Sequence, residues 1–337
     1  MEFKLYCDKA QDALQKEFWD VSDGFYRHHL PHDKEEAFCY WWHAHAVDAL
    51  LDGYLRTKDE KYMDRIEQEL AGVYAINNHT YLHNWYDDME WMALAQLRLY
   101  DVNKDNKYLQ NVLEIWEDIK TAWNDHQGGG LAWKKDQLDY KNTPANAPAA
   151  ILAYRLFIRL GRPEDYEWGN RIFDWNYEHL VDKETGFVFD GINRLGDGKI
   201  DYEWEFTYCQ GVMVGAAVER YKISKERKYL DLALKIAFEA KRRLCDNFGG
   251  VIPYEGKDDC GLFKGIMVRY FTELVQLASE AQPIAEMIFR NATVLCEKGI
   301  NENGVVGAHL DKLPEGVVDL AQHLSGVMLL EMAERLR

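Results

Sequence analysis

Five glycine-centred loops punctuate this 337-residue chain: SDGFYRHH (22–29), HQGGGLAW (126–133), ETGFVFDG (184–191), NFGGVIPY (247–254) and ENGVVGAH (302–309). From Gly129 onward they recur about every 55–63 residues, and the first gap is about twice that. NNHTYLHNWYDD (77–88), which lacks the glycine, fills the skipped place. Between the loops, helical periodicity marks twelve amphipathic segments, near 2–20, 36–56, 58–76, 86–101, 105–124, 143–160, 163–180, 205–223, 225–244, 262–279, 281–298 and 316–336. Each repeat therefore reads as helix, short link, helix, long loop. Six helical hairpins point to an all-α fold, an (α/α)6 toroid with inner and outer rings of helices. An open solenoid is the structural alternative, but its repeats are usually shorter, about 33–47 residues. No linker or composition shift appears, so the expectation is one domain over residues 1–337.

Helices of an inner ring meet apolar neighbours on every side. MEWMALAQLRLY and CQGVMVGAAVERY have that character, whereas KERKYLDLALKIAFEAKRR is one-sided and reads as outer. Strand-like alternation is confined to pieces such as GFVFDG and GGVIPYE. The seven prolines are expected to avoid helix interiors, as Pro163 does at a helix start. The long loops then gather at the entrances to the inner helices.

Charge and composition narrow the partners. A formal net charge of −17 repels nucleic acid and anionic membrane surfaces but leaves neutral ligands unaffected. No stretch approaches a membrane span. The N-terminal segment lacks the apolar core of a secretory signal, which predicts a cytoplasmic protein. The six cysteines show no CxxC or zinc spacing and read as reduced thiols. Rings make up 13% of the chain, and many sit beside Gly and Asp, as they do where sugars stack on aromatic faces.

One place in the repeat stands out. NWYDDMEW (84–91) sets two adjacent aspartates among aromatic residues at the start of an inner-type helix. The bland reading is helix-start chemistry, with Asn84 as cap and Asp87 at the third position. It explains one aspartate more readily than two. The functional reading is glycoside hydrolysis by a carboxylate pair. A retaining site holds its two carboxyls about 5–5.5 Å apart, against about 6.5–9.5 Å in an inverting one. Neighbouring Cα atoms lie about 3.8 Å apart, so adjacency favours retention. Like charge and an aromatic wall are expected to keep one of the two protonated.

At this point a family resemblance emerges. YDDMEWMALAQLRLYD closely resembles the aspartate-pair signature of glycoside hydrolase family 76, the endo-α-1,6-mannanases. The likeness continues in order through GGGLAWKKDQLDYKNTPANAP, YEHLVDKETGFVFDGI, FTYCQGVMVGAAVERY and FKGIMVRYFTEL, across about residues 36–275. It implies an (α/α)6 barrel, with Asp87 as nucleophile and Asp88 as general acid/base. It also implies a neutral α-mannoside substrate. The sequence carries no glycine-rich phosphate loop, serine nucleophile elbow or dinucleotide fingerprint, so no cofactor is expected, and no obligate protein partner is evident. Cys209 departs from the pattern, since the family usually carries Asn there, and a thiol is the poorer hydrogen-bond partner.

Trp85 and Trp133 are candidate sugar platforms, with a core plug as the alternative for Trp133. The glycines before Trp133 suggest a place where a sugar approaches bare backbone. Asn142 and Asn146 read as hydroxyl partners or as helix caps. Asp190 is a turn residue or, by resemblance, an acid near the reacting sugar. Tyr208 and Gln210 open an inner helix and are expected to face its cavity, while Arg269 reads as an ion-pair partner. Trp41 and Trp42 divide evenly between core and cleft. His43 and His45, two apart, do not share a helix face as a zinc pair does, so no metal is expected. His309 and His323 keep open a sugar epimerase on the same fold. A uronide hydrolase and a non-catalytic sugar-binding toroid are the remaining rivals.

Overall fold

The structure, a computed structural model, describes residues 2–32 and 38–337. The segments expected to be helical form twelve α-helices: α1 (Phe3–Ala13), α2 (Tyr40–Thr57), α3 (Lys61–Ile76), α4 (Tyr86–Asn103), α5 (Asn106–Lys120), α6 (Thr143–Leu160), α7 (Pro163–Leu180), α8 (Thr207–Ser224), α9 (Arg227–Leu244), α10 (Cys260–Leu277), α11 (Gln282–Val294) and α12 (Leu320–Arg335). Positions 36 and 37 of the second expected segment lie outside the described residues. The fold class is the expected one, all-α with little sheet. Among the described residues, no helix is long and apolar enough to cross a membrane.

Contacts divide the chain into two compact units, one of residues 1–80 and 241–337, the other of residues 81–240. In the second unit α4, α6 and α8 are buried on nearly every side, and α6 packs against both of the others. In contrast, α5 and α7 bury one stripe each. The first unit repeats the scheme: α2, α10 and α12 are buried nearly all round, whereas α1, α3 and α11 bury a single face. Alternation of buried and one-sided helices along the chain is what an (α/α)6 arrangement requires, because only the outer helix of each hairpin meets water.

Four of the six buried helices share an ending. In α2, α4, α6 and α8 the helix closes on a left-handed residue whose N–H returns to an aromatic carbonyl one turn back. The pairs are Lys58 to Tyr54, Lys104 to Tyr100, Gly161 to Phe157 and Lys225 to Tyr221. Three lysines thus occupy a conformation that favours glycine, at a cost of about 1–2 kcal/mol each. Lys58 and Lys104 recover part of it by laying their ammonium groups over the Tyr54 and Tyr100 rings, at 5.3 and 5.0 Å.

Some expectations need correction. Proline does not avoid every helix interior, since Pro148 lies inside α6. GGVIPYE contributes to no named strand, and GFVFDG supplies only a bridge, Val188 to Val181, and one residue of a short strand. The sheet that forms instead joins β4 (Ala132–Lys134), β5 (Gln137–Asn142) and β6 (Gly191–Ile192), antiparallel throughout. Earlier short strands are β1 (Trp19–Asp20), β2 (Phe25–Tyr26) and β3 (His29–Leu30), and β7 (Val318–Asp319) follows. The buried Arg269 in the first unit is paired: it meets Asp48 at 2.9 Å and Asp52 at 2.6 Å, as an ion-pair reading of Arg269 required.

Candidate active site

Asp87 and Asp88 occupy the first turn of α4, in the second unit. The helix starts one residue later than a cap at Asn84 would demand. Trp85 is the extended residue at its N-terminus, and no side chain caps it. Asn84 instead reaches Asp136 at 3.4 Å, while its carbonyl accepts from the Lys135 N–H. Both aspartates are partly buried.

Each carboxylate has its own surroundings. The Trp133 indole N–H donates to Asp87 Oδ2 at 3.0 Å, and the Asp88 N–H donates to Asp87 Oδ1 at 3.1 Å. Both Asp87 oxygens are therefore oriented by N–H groups. Asp88 Oδ2 lies 3.4 Å from His83 Nδ1. Burial, with Lys135 adding to it, pulls the His83 pKa down to about 4, so at neutral pH Asp88 faces a neutral imidazole.

Sheet pairing delivers the aromatic walls. Trp85 bridges to Lys134, which places Trp85 beside the β4 residue that follows Trp133. The Lys134 ammonium lies over both indoles, 5.8 and 5.2 Å from the ring centres. Behind Trp133, Tyr140 makes an edge contact at 5.7 Å and donates its hydroxyl to Asp190 at 2.9 Å. Tyr208 donates to the other Asp190 oxygen at 2.7 Å, and the Cys209 thiol lies 3.5 Å from that same atom. The cysteine that departs from the family pattern thus still serves as a donor, to a buried acid. Burial pushes the Asp190 carboxyl above its ordinary range, and its three hydrogen bonds oppose the shift.

The remaining expected binders hold backbone. Asn142 caps α6, accepting from the Ala145 N–H at 3.2 Å. Asn146 grips both the N–H and the carbonyl of Leu131, two residues before Trp133. Gln210 does the same to Val188, two residues before Asp190. Asn146 and Gln210 are fully buried with their amides used this way, so direct contact with a sugar is not what their geometry offers. Nor do Gly129 and Gly130, before Trp133, open space for a ligand. A Cβ on Gly130 would meet the Trp175 ring at 2.5 Å, and one on Gly129 would meet Trp123 at 2.8 Å.

Three residues escaped the sequence reading. His83 and Tyr140 give no periodic signal. Glu90 does, as an acid within the buried, otherwise apolar stretch Met89–Ala95, one turn beyond Asp87. It is fully buried, and neither of its oxygens makes a well-formed hydrogen bond. Burial, then the charge of Asp87, holds its carboxyl well above the ordinary glutamate range. Among the rivals' residues, His323 is locked in the core of the first unit: its Nδ1 accepts from the Val306 N–H, and its Nε2 lies 3.0 Å from the Ala10 carbonyl.

Alternating buried and one-sided helices, with a carboxylate pair between tryptophans at a helix mouth, describe an all-helical glycoside hydrolase. The chain belongs to glycosyl hydrolase family 76, whose sequence model matches residues 6–333. Among solved structures it resembles the Lin0763 protein from Listeria innocua, with 39% identity, a TM-score of 0.94, and coverage of 100% of this chain and 98% of that one. It also resembles the GH76A α-1,6-mannanase from Salegentibacter sp. HEL1_6, with 37% identity, a TM-score of 0.95, and 100% of both chains covered. A variant of that mannanase, inactive through replacement of two consecutive aspartates by asparagine, has been solved with α-1,6-mannotriose. A curated relative, the mannan endo-1,6-alpha-mannosidase DCW1 of Candida albicans, is 23% identical over 274 residues, 74% of this chain and 60% of that protein. The chain thus spans about 60% of the length of that relative.

Proposed function

We propose that the chain hydrolyses α-1,6-mannosidic bonds of mannan or manno-oligosaccharides with retention of configuration, through Asp87 and Asp88. One observation carries the assignment within the pair: both Asp87 oxygens are held by N–H donors, whereas Asp88 faces a neutral imidazole. N–H donors favour an ionised, oriented carboxylate, which suits a nucleophile. Asp88, beside that imidazole, suits the role that alternates between acid and base. The substrate reading is supported by the α-1,6-mannanases among the chain's relatives and by the mannotriose complex of the double-asparagine variant.

In the first step an Asp87 oxygen attacks the anomeric carbon. The bond to the leaving sugar breaks, and the Asp88 proton passes to the departing oxygen. In the second, the Asp88 carboxylate takes a proton from water, whose oxygen displaces Asp87 from the anomeric carbon. Both carboxyls return to their starting states. Trp133 orients Asp87, Trp85 supplies a second ring beside it, and Asp190, Tyr208, Asn142, Asn146 and Gln210 position the loops that carry these groups.

Product anomers from α-1,6-mannotriose, followed by NMR as they form, test the stereochemistry: the α-anomer is expected first. Asp87→Asn and Asp88→Asn should each reduce turnover by at least about 10³-fold. Full activity in Asp87→Asn would remove it as nucleophile, and a first-formed β-anomer would exclude retention.

A further inference from the structure

The glycine loops align on their third residue, and the eighth residue is then His29, Trp133, Gly191, Tyr254 or His309. One of these, Trp133, binds Asp87. Three others, His29, Tyr254 and His309, line a single cavity of about 840 Å³ that lies wholly within the first unit. That volume falls in the range of small-ligand sites. Three repeats thus deliver rings from the same loop position to one place, in a unit that carries neither Asp87 nor Asp88.

The cavity is built on fixed structure. Pairing of β3 with β7 sets His29 opposite Asp319, with His29 Nε2 3.5 Å from Asp319 Oδ1. Asp319 heads α12 in a capping box with Gln322, whose amide donates to it at 2.9 Å. The Asp258 N–H donates at 3.3 Å to Asp319 Oδ2, the oxygen that accepts from Gln322. Behind the wall, the buried Lys264 ammonium donates to the Ala308 carbonyl at 3.3 Å, steadying the residue before His309. The Tyr254 and His309 rings lie 5.0 Å apart at 36°, and 37% of Tyr254 is exposed. Around this platform the two lysines, Lys257 and Lys312, face three carboxylates, Asp258, Glu315 and Asp319. An apolar ring face bordered by donors and acceptors of nearly equal charge suits a hydroxylated, uncharged ligand better than an anion.

We propose that this cavity is a second carbohydrate-binding site, taking one neutral hexopyranoside unit stacked on Tyr254 and His309. That the sugar is an α-mannoside rests on the function proposed above; the stacking site does not.

The test uses the full chain carrying Asp87→Asn, titrated with α-1,6-mannotetraose while histidine-ring NMR signals are followed. The His309 signals are expected to move as sugar binds. Tyr254→Ala should weaken the response about five- to tenfold, and Tyr254→Phe should keep it within about twofold. Thermal melts verify that each variant is folded. His309 signals that stay still while sugar is bound, or that respond equally in Tyr254→Ala, overturn the proposal. Hydrolysis by the unmodified chain is assayed separately. If no α-1,6-mannoside is cleaved, the reaction assigned above falls, and the same titration is run with α- and β-linked gluco- and galacto-oligosaccharides. A Tyr254-dependent His309 response to any of these upholds the cavity as a sugar site; none across the whole panel overturns it.

Discussion

Two side chains near Asp87, Trp133 and Glu90, have opposite characters. The indole N–H favours a charged Asp87, and a hydrogen bond to a charged group contributes about 1.5–3 kcal/mol. Trp133→Phe keeps a ring and deletes that donor, so kcat on mannotriose is expected to fall about 10- to 100-fold with a smaller change in KM. An unchanged kcat would remove the orienting role. Glu90 has the reverse character, a buried acid held protonated. Between the ordinary glutamate range and its raised native pKa, the folded chain keeps a proton that the unfolded chain has released. The stability linked to Glu90 is therefore present at low pH and declines as pH rises. Glu90→Gln mimics the protonated form and should raise Tm above neutrality, flattening the wild-type decline. Parallel Tm-against-pH curves for the two proteins would contradict this.

Among the helices, the recurring left-handed ending makes its own forecast. Lys225 ends α8 at φ 60°, where a Cβ is strained. Lys225→Gly relieves that strain but loosens the unfolded chain. The net expectation is a gain of about 0.5–1 kcal/mol, measured by urea unfolding with an unchanged m-value. A loss would mean that the lysine side chain contributes more than its backbone costs. The same scale shows why helix positions are readable along the chain and cap chemistry is not. Segments 143–160 and 163–180 match α6 and α7 residue for residue, because a hydrophobic stripe is a local property. Asn84 resembles a cap on equally local grounds. Pairing of Trp85 with Lys134 and of Asn84 with Lys135 draws it away instead, and those partners lie about 50 residues distant in the chain.

For the molecule as a whole, a net charge of −17 and the neutral glycan proposed as substrate make a distinctive kinetic combination. A neutral ligand gains nothing from steering, so kcat/KM on mannotriose should vary less than about twofold between about 50 and 500 mM salt. A steep dependence would point to a charged substrate. Family, helix count and the aspartate pair are all legible in the sequence, because periodicity and adjacency are written along the chain. The division of labour around the pair is not. Along the sequence Asn146 reads as a hydroxyl partner or a cap and Gln210 as a cavity residue, since a polar side chain near a motif carries no mark of its partner. In the folded chain they are clamped on Leu131 and Val188. The glycine loop before Trp133 reads as open, yet Trp175 and Trp123 fill the space beside it. Residue order alone is enough to say which helices exist, which are buried on every side, and that two carboxylates share one helix mouth. Which oxygens are held, which acid stays protonated and which rings meet across a cavity are settled in three dimensions. Those properties depend on contacts between residues far apart in the chain and on burial, and neither has a local signature.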